Sequence, residues 1–318
     1  WLAVKISPHS LYGSILVMKL IIVTAEMGTL LFMHKLTRHF QIPRTAILLY
    51  ALNPLVILEL TGNLHFEGIM IFFVLWSVHL LVTKKTVVAA TTFSIAIGVK
   101  LLPLILLPSF LKQLNRKNLI LFYSVIAVAC LTLFIPFYST QVMKGFGTSL
   151  SYYFSLFEFN ASIYYLVRAL GNWIFGFNII FIAGGLLGLA SAAIIFRFSF
   201  KPPDVVMYGY LRKSIQEVDG KLLVTMLFSL FVYFLMTTTL HPWYITTLLA
   251  FSIFTRYRFV VVWTGTIFFT YAGYGKSGFQ ENLWVTAIEY CTVLGYLAYE
   301  LIWKKRPRNY SLFSTGTP

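Results

Sequence analysis

The sequence has few charged residues, and acidic ones are the scarcest. Charged residues make up 11% of the 318 residues, against roughly a quarter in an average soluble domain. Hydrophobic residues make up 58%, and the mean hydropathy is +0.80. A chain this apolar cannot cover a surface that faces water. The composition therefore excludes a cytosolic globular enzyme, a secreted disulfide scaffold and a disordered protein.

Cysteine is also scarce. Cys130 and Cys291 both lie inside apolar runs, which favours small, buried hydrophobic side chains. No histidine or cysteine spacing typical of a metal site occurs in the sequence. The sequence therefore predicts no metal and no cofactor.

Long hydrophobic runs are abundant. The sequence contains about eleven, and several are shorter than the roughly 20 residues that cross a bilayer as one helix. Membrane barrel strands would alternate apolar and polar residues, which these runs do not. The sequence therefore predicts an all-α, polytopic membrane helical bundle, with one transmembrane domain over residues 1–318. The runs are Leu11–Met33, Thr45–Leu60, Ile69–Thr83, Thr86–Lys100, Leu101–Leu111, Leu119–Tyr138, Ile179–Phe198, Leu222–Leu240, Trp243–Thr255, Phe259–Gly273 and Leu283–Trp303.

The stretch Thr86–Leu111 is predicted to be a broken, re-entrant helix. Pro103 interrupts it near its middle, and basic residues flank both of its ends. Because positive loops face the cytoplasm, both ends are expected on the same side of the membrane. We expect two half-helices that enter and return, with Gly98, Lys100 and Pro103 near the turn.

The basic residues indicate the orientation of the chain. About 19 of the 25 fall on one side and about four on the other, which is the positive-inside pattern. The net charge of +15 is therefore a topology signal, and nucleic acid is not an expected partner. The pattern predicts a cytoplasmic C-terminus, an external aromatic-rich segment at 139–178 and a cytoplasmic loop at 199–221. It also places Trp1 outside, which predicts a further helix upstream.

One predicted external loop carries Asn63, His65 and Glu67 between two glycines. A carboxylate and an imidazole two residues apart can accept hydrogen bonds from sugar hydroxyls or orient a base. A solvated turn is the alternative. The spacing is not HExxH, so the loop does not predict zinc.

Lys100 and His241 are the other candidates. Lys100 lies among apolar residues beside the predicted helix break, where a lysine needs an anion or a wet cavity. A phosphate suits its compact charge, and pairing with an internal glutamate is the alternative. His241 opens the motif His241-Pro242-Trp243-Tyr244, in which interfacial anchoring explains the aromatic residues. The histidine itself is a candidate for phosphate binding or proton transfer.

Three other features have structural explanations. Lys19 and Glu26 lie two helical turns apart, which favours a charge pair. Asn53-Pro54 predicts a helix kink. Asn160-Ala161-Ser162 matches a glycosylation sequon, but the pattern is too short to predict modification.

Five short motifs follow one another along the chain: Ala51–Glu59 (ALNPLVILE), Gly62–Gly68 (GNLHFEG), Gly98–Leu104 (GVKLLPL), Phe159–Tyr165 (FNASIYY) and His241–Tyr244 (HPWY). Together and in this order they resemble the bacterial polyprenyl-phosphate-mannose-dependent mannosyltransferases, members of the GT-C superfamily of integral membrane glycosyltransferases. The resemblance covers nearly the whole chain and is strongest from Ala51 to Pro108.

The resemblance implies an activity and a site. Such a protein transfers a sugar, here mannose, from a polyprenyl-phosphate sugar donor to an acceptor hydroxyl on a glycan or glycolipid, with inversion. It lies in the bacterial cytoplasmic (inner) membrane, in contact with the lipid bilayer, with an extracytoplasmic active site. Matching positions imply that Lys100 and His241 bind the donor phosphate, that His241 and Glu67 are catalytic, and that Asn63, His65 and Glu67 shape the sugar pocket.

One departure from the family concerns the base, which is usually an aspartate in the first external loop. The only aspartates here are Asp204 and Asp219, both in the predicted cytoplasmic loop. We therefore expect the base to lie upstream of Trp1. Broken helices and a buried lysine also suit a transporter or a lipid-linked-sugar flippase. That alternative, and an inactive partial protein, stay open at this point.

Overall fold

The structure, a computed structural model, describes residues 2–201, 217–275 and 278–303. Within these ranges the regular elements are helices, apart from one hairpin of two-residue strands, β1 (Tyr274–Gly275) and β2 (Gly278–Phe279). The prediction of an all-α bundle is confirmed. Most of the predicted 199–221 loop (202–216), and the basic residues from Lys304 onward, lie outside the described ranges.

The helices follow the hydrophobic runs closely. They are α1 (Leu2–Ile6), α2 (Leu11–His39), α3 (Leu48–Ala51), α4 (Glu67–Val82), α5 (Thr86–Val99), α6 (Arg116–Phe134), α7 (Thr140–Ser155), α8 (Ile163–Phe175), α9 (Ile180–Phe200), α10 (Glu217–Met236), α11 (Ile245–Ser252), α12 (Phe259–Thr266) and α13 (Leu283–Trp303). Short 3₁₀ helices cover Arg44–Ile47, Leu102–Phe110, Ile135–Phe137, Pro242–Tyr244 and Ile267–Gly273, and a π-helix covers Val56–Gly62.

Four helical stretches in the described ranges are long and apolar enough to cross a membrane. They are Leu11–His39, Arg116–Phe137, Ile180–Phe200 and Leu283–Ile302. A fifth candidate is the bent pair Arg44–Ala51 and Val56–Gly62, whose two parts meet at 59°. The other runs form shorter helices that pack beside these stretches.

The bend in the fifth candidate lies at Asn53-Pro54, as the sequence predicts. Pro54 has no N–H for the helical ladder. The Asn53 side chain accepts a bond from the Leu55 N–H at 3.0 Å and donates to the Thr264 hydroxyl at 2.9 Å. The kink is therefore fixed by contacts on both sides of the break.

The segment from Thr86 to Leu111 folds back on itself, as predicted for two half-helices that meet near Lys100. Helix α5 ends at Lys100, whose backbone is extended, and the 3₁₀ helix Leu102–Phe110 runs back. The Phe110 ring meets Phe93 edge-on at 5.2 Å between centroids and lies 4.7 Å from Phe122. Pro103 supports the turn because it cannot continue the α5 ladder.

A continuous apolar core joins the two halves of the chain. It contains residues from α2, α4 and α5 together with residues from α10 to α13. Every residue of α11 is buried, so the run that was predicted at Trp243–Thr255 forms an interior element. The prediction of buried cysteines was wrong for Cys291, which lies on an exposed face of α13, while Cys130 is half-buried.

The aromatic-rich segment 139–178 forms two helices, α7 and α8, joined by an extended stretch. A small second core, made of residues near Tyr164 and Ala183, packs α8 against α9. Phe159 in the connecting stretch forms a parallel bridge with Thr239 after α10. The segment is thus attached to the chain just before His241.

The close approach of α2 to α4 depends on Gly28. A Cβ atom at this position would overlap the Phe72 ring, which is itself packed against Phe32, Phe73 and Trp76. Gly185 on α9 provides a matched control because a Cβ there meets no atom within 4 Å.

We expect Gly28→Ala to lower the free energy of unfolding by about 1–3 kcal/mol through overpacking. Gly185→Ala should be neutral or stabilising by up to about 1 kcal/mol, because alanine is the better helix former. Thermal unfolding of both variants in detergent measures the difference. Equal stability of the two variants would contradict the close approach of α2 and α4.

Candidate functional site

Lys100 lies at the turn of the re-entrant segment and forms an ion pair with Glu67. Glu67 is the first residue of α4 and is fully buried, whereas a third of the Lys100 side chain is exposed. Lys100 donates to Oε1 of Glu67, while the other carboxylate oxygen has no hydrogen-bond partner. The Lys100 ammonium also lies 4.9 Å from the centre of the Tyr244 ring. The lysine thus has a carboxylate and an aromatic face as neighbours.

Three aromatic rings stack beside this pair. His65 lies over Trp243 with 3.7 Å between ring centroids and an interplanar angle of 18°. His241 lies over Trp243 at 4.4 Å and 9°. The short distances and near-parallel planes are those of stacked rings. Trp243 therefore brings two imidazoles from distant parts of the chain together.

A second buried carboxylate holds the loop that carries His65. Glu59, only 1% exposed, lies in the π-helix Val56–Gly62. It accepts a bond from the Tyr271 hydroxyl and one from the Asn63 amide at 3.2 Å. His65 Nε2 lies 3.3 Å from Glu59 Oε2. π-helical turns often occur at functional sites, and here the turn directs Glu59 toward His65.

His241 is partly buried between aromatic rings. Trp243 covers it on one side, and the Phe159 ring lies 4.8 Å away at 34°. Burial, with the charges of Lys100 and His65, lowers the pKa of His241 to about 4. The imidazole is therefore neutral near pH 7 and able to accept a hydrogen bond or a proton.

The structure brings all five predicted site residues into one neighbourhood. Asn63 and His65 come from the loop before α4, Glu67 from the first residue of α4, Lys100 from the end of α5, and His241 from the turn after α10. The alternative of an internal glutamate partner for Lys100 is also realised, by Glu67. Within the described part of the chain, no three His, Cys, Asp or Glu side chains converge as metal ligands.

Several residues of this neighbourhood were not predicted from the sequence. Glu59 was present only as the end of a motif, and Tyr271 was absent from the candidates. Trp243 and Tyr244 were interpreted as interfacial anchors, but they contact His65 and Lys100 respectively. The signal that was available for Glu59 was its position in a long apolar run, where an acidic residue is costly unless it is paired.

Lys19 and Glu26 do not pair: Lys19 donates to the Gly62 carbonyl at 3.3 Å, and Glu26 accepts from Tyr50 at 3.2 Å. Asn160 is 1% exposed and its amide donates to Glu289. A buried, bonded amide does not serve as a glycosylation acceptor, so the sequon has a structural explanation.

The fold and the site define a helical membrane protein with a cation, two imidazoles and two buried carboxylates in one cluster. Residues 1–115 match the family model described as alpha-(1->6)-mannopyranosyltransferase, N-terminal domain. The matched range includes Asn63, His65, Glu67 and Lys100, and His241 lies outside it. No curated protein and no solved structure matches the chain. The match confirms the resemblance to a mannosyltransferase and supports a role in mannosyl transfer.

The Glu67–Lys100 pair should contribute to stability as a unit. We expect Lys100→Met to lower the free energy of unfolding by about 2 kcal/mol, because it leaves Glu67 buried without its counter-ion. This value is below the usual cost of breaking a fully buried pair because water reaches part of Lys100. The double variant Glu67→Gln/Lys100→Met should recover most of the loss, since neither charge remains.

Thermal unfolding of the purified proteins in detergent measures both effects. A double variant that is no more stable than Lys100→Met would contradict the coupling of the two side chains.

Proposed function

We propose that the protein transfers a mannosyl residue from a polyprenyl-phosphate donor to an acceptor hydroxyl on the extracytoplasmic face of the membrane, with inversion. The observation that carries the proposal is the position of Lys100, a partly exposed cation at a helix break beside a neutral imidazole. An anionic group on a lipid is the partner that such a cation fits in an apolar bundle. The donor phosphate supplies that group.

The donor phosphate is proposed to lie between Lys100 and His241. Lys100 offers three N–H donors, of which Glu67 takes one. His241 is neutral when no anion is bound, and a nearby phosphate favours its protonated form. Lys100 and protonated His241 would then stabilise the negative charge that develops on the phosphate as the bond to the sugar breaks.

The remaining site residues are proposed to bind the sugar. Glu67 contacts Lys100, and Asn63 and His65 contact Glu59; all three carry groups that bond to hydroxyls. The Tyr271 hydroxyl and the Asn63 amide fix Glu59, and His65 lies against it, so that the loop keeps its shape when a sugar enters. Both faces of Trp243 are covered by imidazoles, and the sugar therefore contacts its edge.

The proposed transfer forms one bond and breaks another. The acceptor oxygen forms a bond to the anomeric carbon while the bond from that carbon to the phosphate oxygen breaks. The phosphate leaves with the electron pair of that bond. The hydroxyl proton passes to a carboxylate base, and we propose that Glu67, fully buried and paired with Lys100, assists by holding that lysine and the sugar in place.

The distribution of charge supports the proposed orientation. Lys84 and Lys85 follow the end of α4 and precede α5, whereas Lys100 and Glu67 lie at the opposite ends of these helices. The separation along the 16 residues of α4 is about 24 Å. If the basic end faces the cytoplasm, the site lies toward the opposite face and the C-terminus in the cytoplasm.

A transfer assay tests the proposal. Membranes that contain the complete gene product are given radiolabelled polyprenyl-phosphate mannose and a glycolipid acceptor, and labelled glycolipid is counted. We expect transfer by the wild type and at least a tenfold rise of the KM for the donor in Lys100→Ala, because a charge contact of roughly 1.4 kcal/mol or more is lost. Lys117→Ala, an exposed lysine on α6, is the matched control and should behave as the wild type.

Absence of transfer by the wild type would overturn the proposal. Movement of the labelled donor across a vesicle membrane without transfer would instead favour a flippase.

The contribution of His241 to donor binding can be measured from the pH dependence of the Kd. Above pH about 4 the free imidazole is neutral, so binding of an anion takes up a proton and the affinity rises as the pH falls toward that value. The donor is a phosphodiester whose own charge is constant from about pH 5 to 8. We expect its Kd to fall by about threefold to tenfold between pH 7 and pH 5.5.

His241→Gln should remove this change, and tryptophan fluorescence measures both Kd values. Lys100 and His65 are the other charged or titratable groups that act on His241, and both stay in the variant. The same pH dependence in wild type and variant would exclude a phosphate contact for His241.

A further inference from the structure

Several hydrogen bonds hold the stretch around Asn160, between α7 and α8, against the rest of the bundle. Asn160 is 1% exposed and has a positive φ of 45°. Its N–H donates to Glu281 at 2.8 Å, and its carbonyl accepts from the Tyr290 hydroxyl at 2.7 Å. Its side-chain amide donates to Glu289 at 3.2 Å. Backbone and side chain are thus both bonded to α13 or to Glu281, two residues before it.

Glu289 is the residue of α13 that binds the Asn160 side chain. It is fully buried on α13 and also accepts from the Trp263 indole N–H at 2.8 Å. A buried carboxylate is costly unless donors surround it. The Asn160 and Trp263 donors satisfy that requirement, and the buried carboxylate loses one of its donors if either side chain moves. The contacts therefore fix Asn160 relative to the core.

Phe159, the residue before Asn160, connects this stretch to the residues that precede His241. The Phe159 N–H donates to the Thr238 carbonyl at 3.1 Å, and the Leu240 N–H donates to the Phe159 carbonyl at 2.8 Å. The Thr239 hydroxyl donates to the Phe157 carbonyl at 2.9 Å. These bonds bind the loop to the three residues that precede His241. They also place the Phe159 ring 4.8 Å from the His241 ring.

We propose that Glu289 and Asn160 form a positioning device for His241. The pair holds the Phe159 ring against the imidazole that Trp243 stacks on, and so sets the orientation and the water access of the His241 ring. Glu289 and Asn160 do not touch the proposed phosphate site and act through Phe159. The importance of this device for transfer rests on the proposed function, but its geometry does not.

Chemical footprinting tests the geometry without an activity assay. The purified protein in detergent is treated with diethyl pyrocarbonate, which modifies neutral imidazoles, and the rate at each histidine is measured by mass spectrometry. His9 is exposed and serves as the internal reference. In the wild type, His241 should react more slowly than His9. In Glu289→Ala the His241 rate should rise about tenfold relative to His9, through local opening.

Two variants separate the roles of charge and of hydrogen bonding. Glu289→Gln keeps an oxygen that accepts from Asn160 and Trp263, and it should react as the wild type. Asn160→Gly keeps the positive φ and the backbone bonds but removes the amide bond to Glu289. Its His241 rate should rise by about threefold. This variant keeps the test valid if Glu289→Ala does not fold.

Glu300→Ala is the matched control. Glu300 is a buried glutamate on the same helix, roughly 16 Å from Glu289 along the axis, and it accepts from the N–H groups of Arg258 and Phe259. Its loss should lower stability without changing the His241 rate relative to His9. An unchanged His241 rate in both Glu289→Ala and Asn160→Gly would overturn the proposal, as would an equal rise in Glu300→Ala.

The transfer assay adds a readout that bears on the reaction. The donor Kd of Glu289→Ala should lose part of its pH dependence, because His241 is no longer held, while Glu289→Gln should keep it. If no transfer or donor binding occurs in any variant including the wild type, the proposed function fails. The footprinting result then still decides whether the positioning device exists.

Discussion

The ion pair between Glu67 and Lys100 is the constraint on which the arrangement of the site depends. A lysine among apolar residues is unfavourable without an anion, and Glu67 supplies one from the start of α4. Because the pair joins the first residue of α4 to the end of α5, it fixes the turn of the re-entrant segment beside the loop that carries His65. Tyr244, whose ring lies 4.9 Å from the Lys100 ammonium, connects the turn after α10 to this ion pair.

The scarce glutamates of this chain are used to hold other side chains. Glu59 lies against His65, Glu67 pairs with Lys100, and Glu289 acts on His241 through Asn160 and Phe159. Each of the three carboxylates is almost fully buried, so each needs its donors and cannot move independently of them. The few buried glutamates thus hold the polar side chains of the cluster in place inside an apolar bundle.

Much of the fold could be predicted from the sequence because apolar runs and helix breaks are local signals. The kink at Asn53-Pro54 and the turn at Lys100 follow from proline chemistry and appear where predicted. The grouping of His65, Glu67, Lys100 and His241 came from the resemblance and not from the hydrophobic pattern. From the sequence pattern alone, a solvated turn also explained His65 and Glu67, and an internal ion pair also explained Lys100.

The parts that could not be predicted depend on contacts between distant residues. Tyr271 lies 212 residues from Glu59, and Glu289 lies 129 residues from Asn160. No local period relates such positions, and a buried asparagine has the same sequence signal as an exposed sequon. Trp243 shows the same limit: an aromatic residue at a helix end is typical of the membrane interface, and only the packing of the bundle places it between two imidazoles.

The charge balance of the site is compatible with both the binding and the release of the proposed donor phosphate. Without an anion, Lys100 is compensated by Glu67 and His241 is neutral, so neither proposed phosphate ligand carries an uncompensated charge in apolar surroundings. In the proposed reaction, the phosphate gains negative charge as the sugar bond breaks. Lys100 and a protonated His241 then bind the leaving group more strongly than the donor, which is the differential binding that catalysis requires.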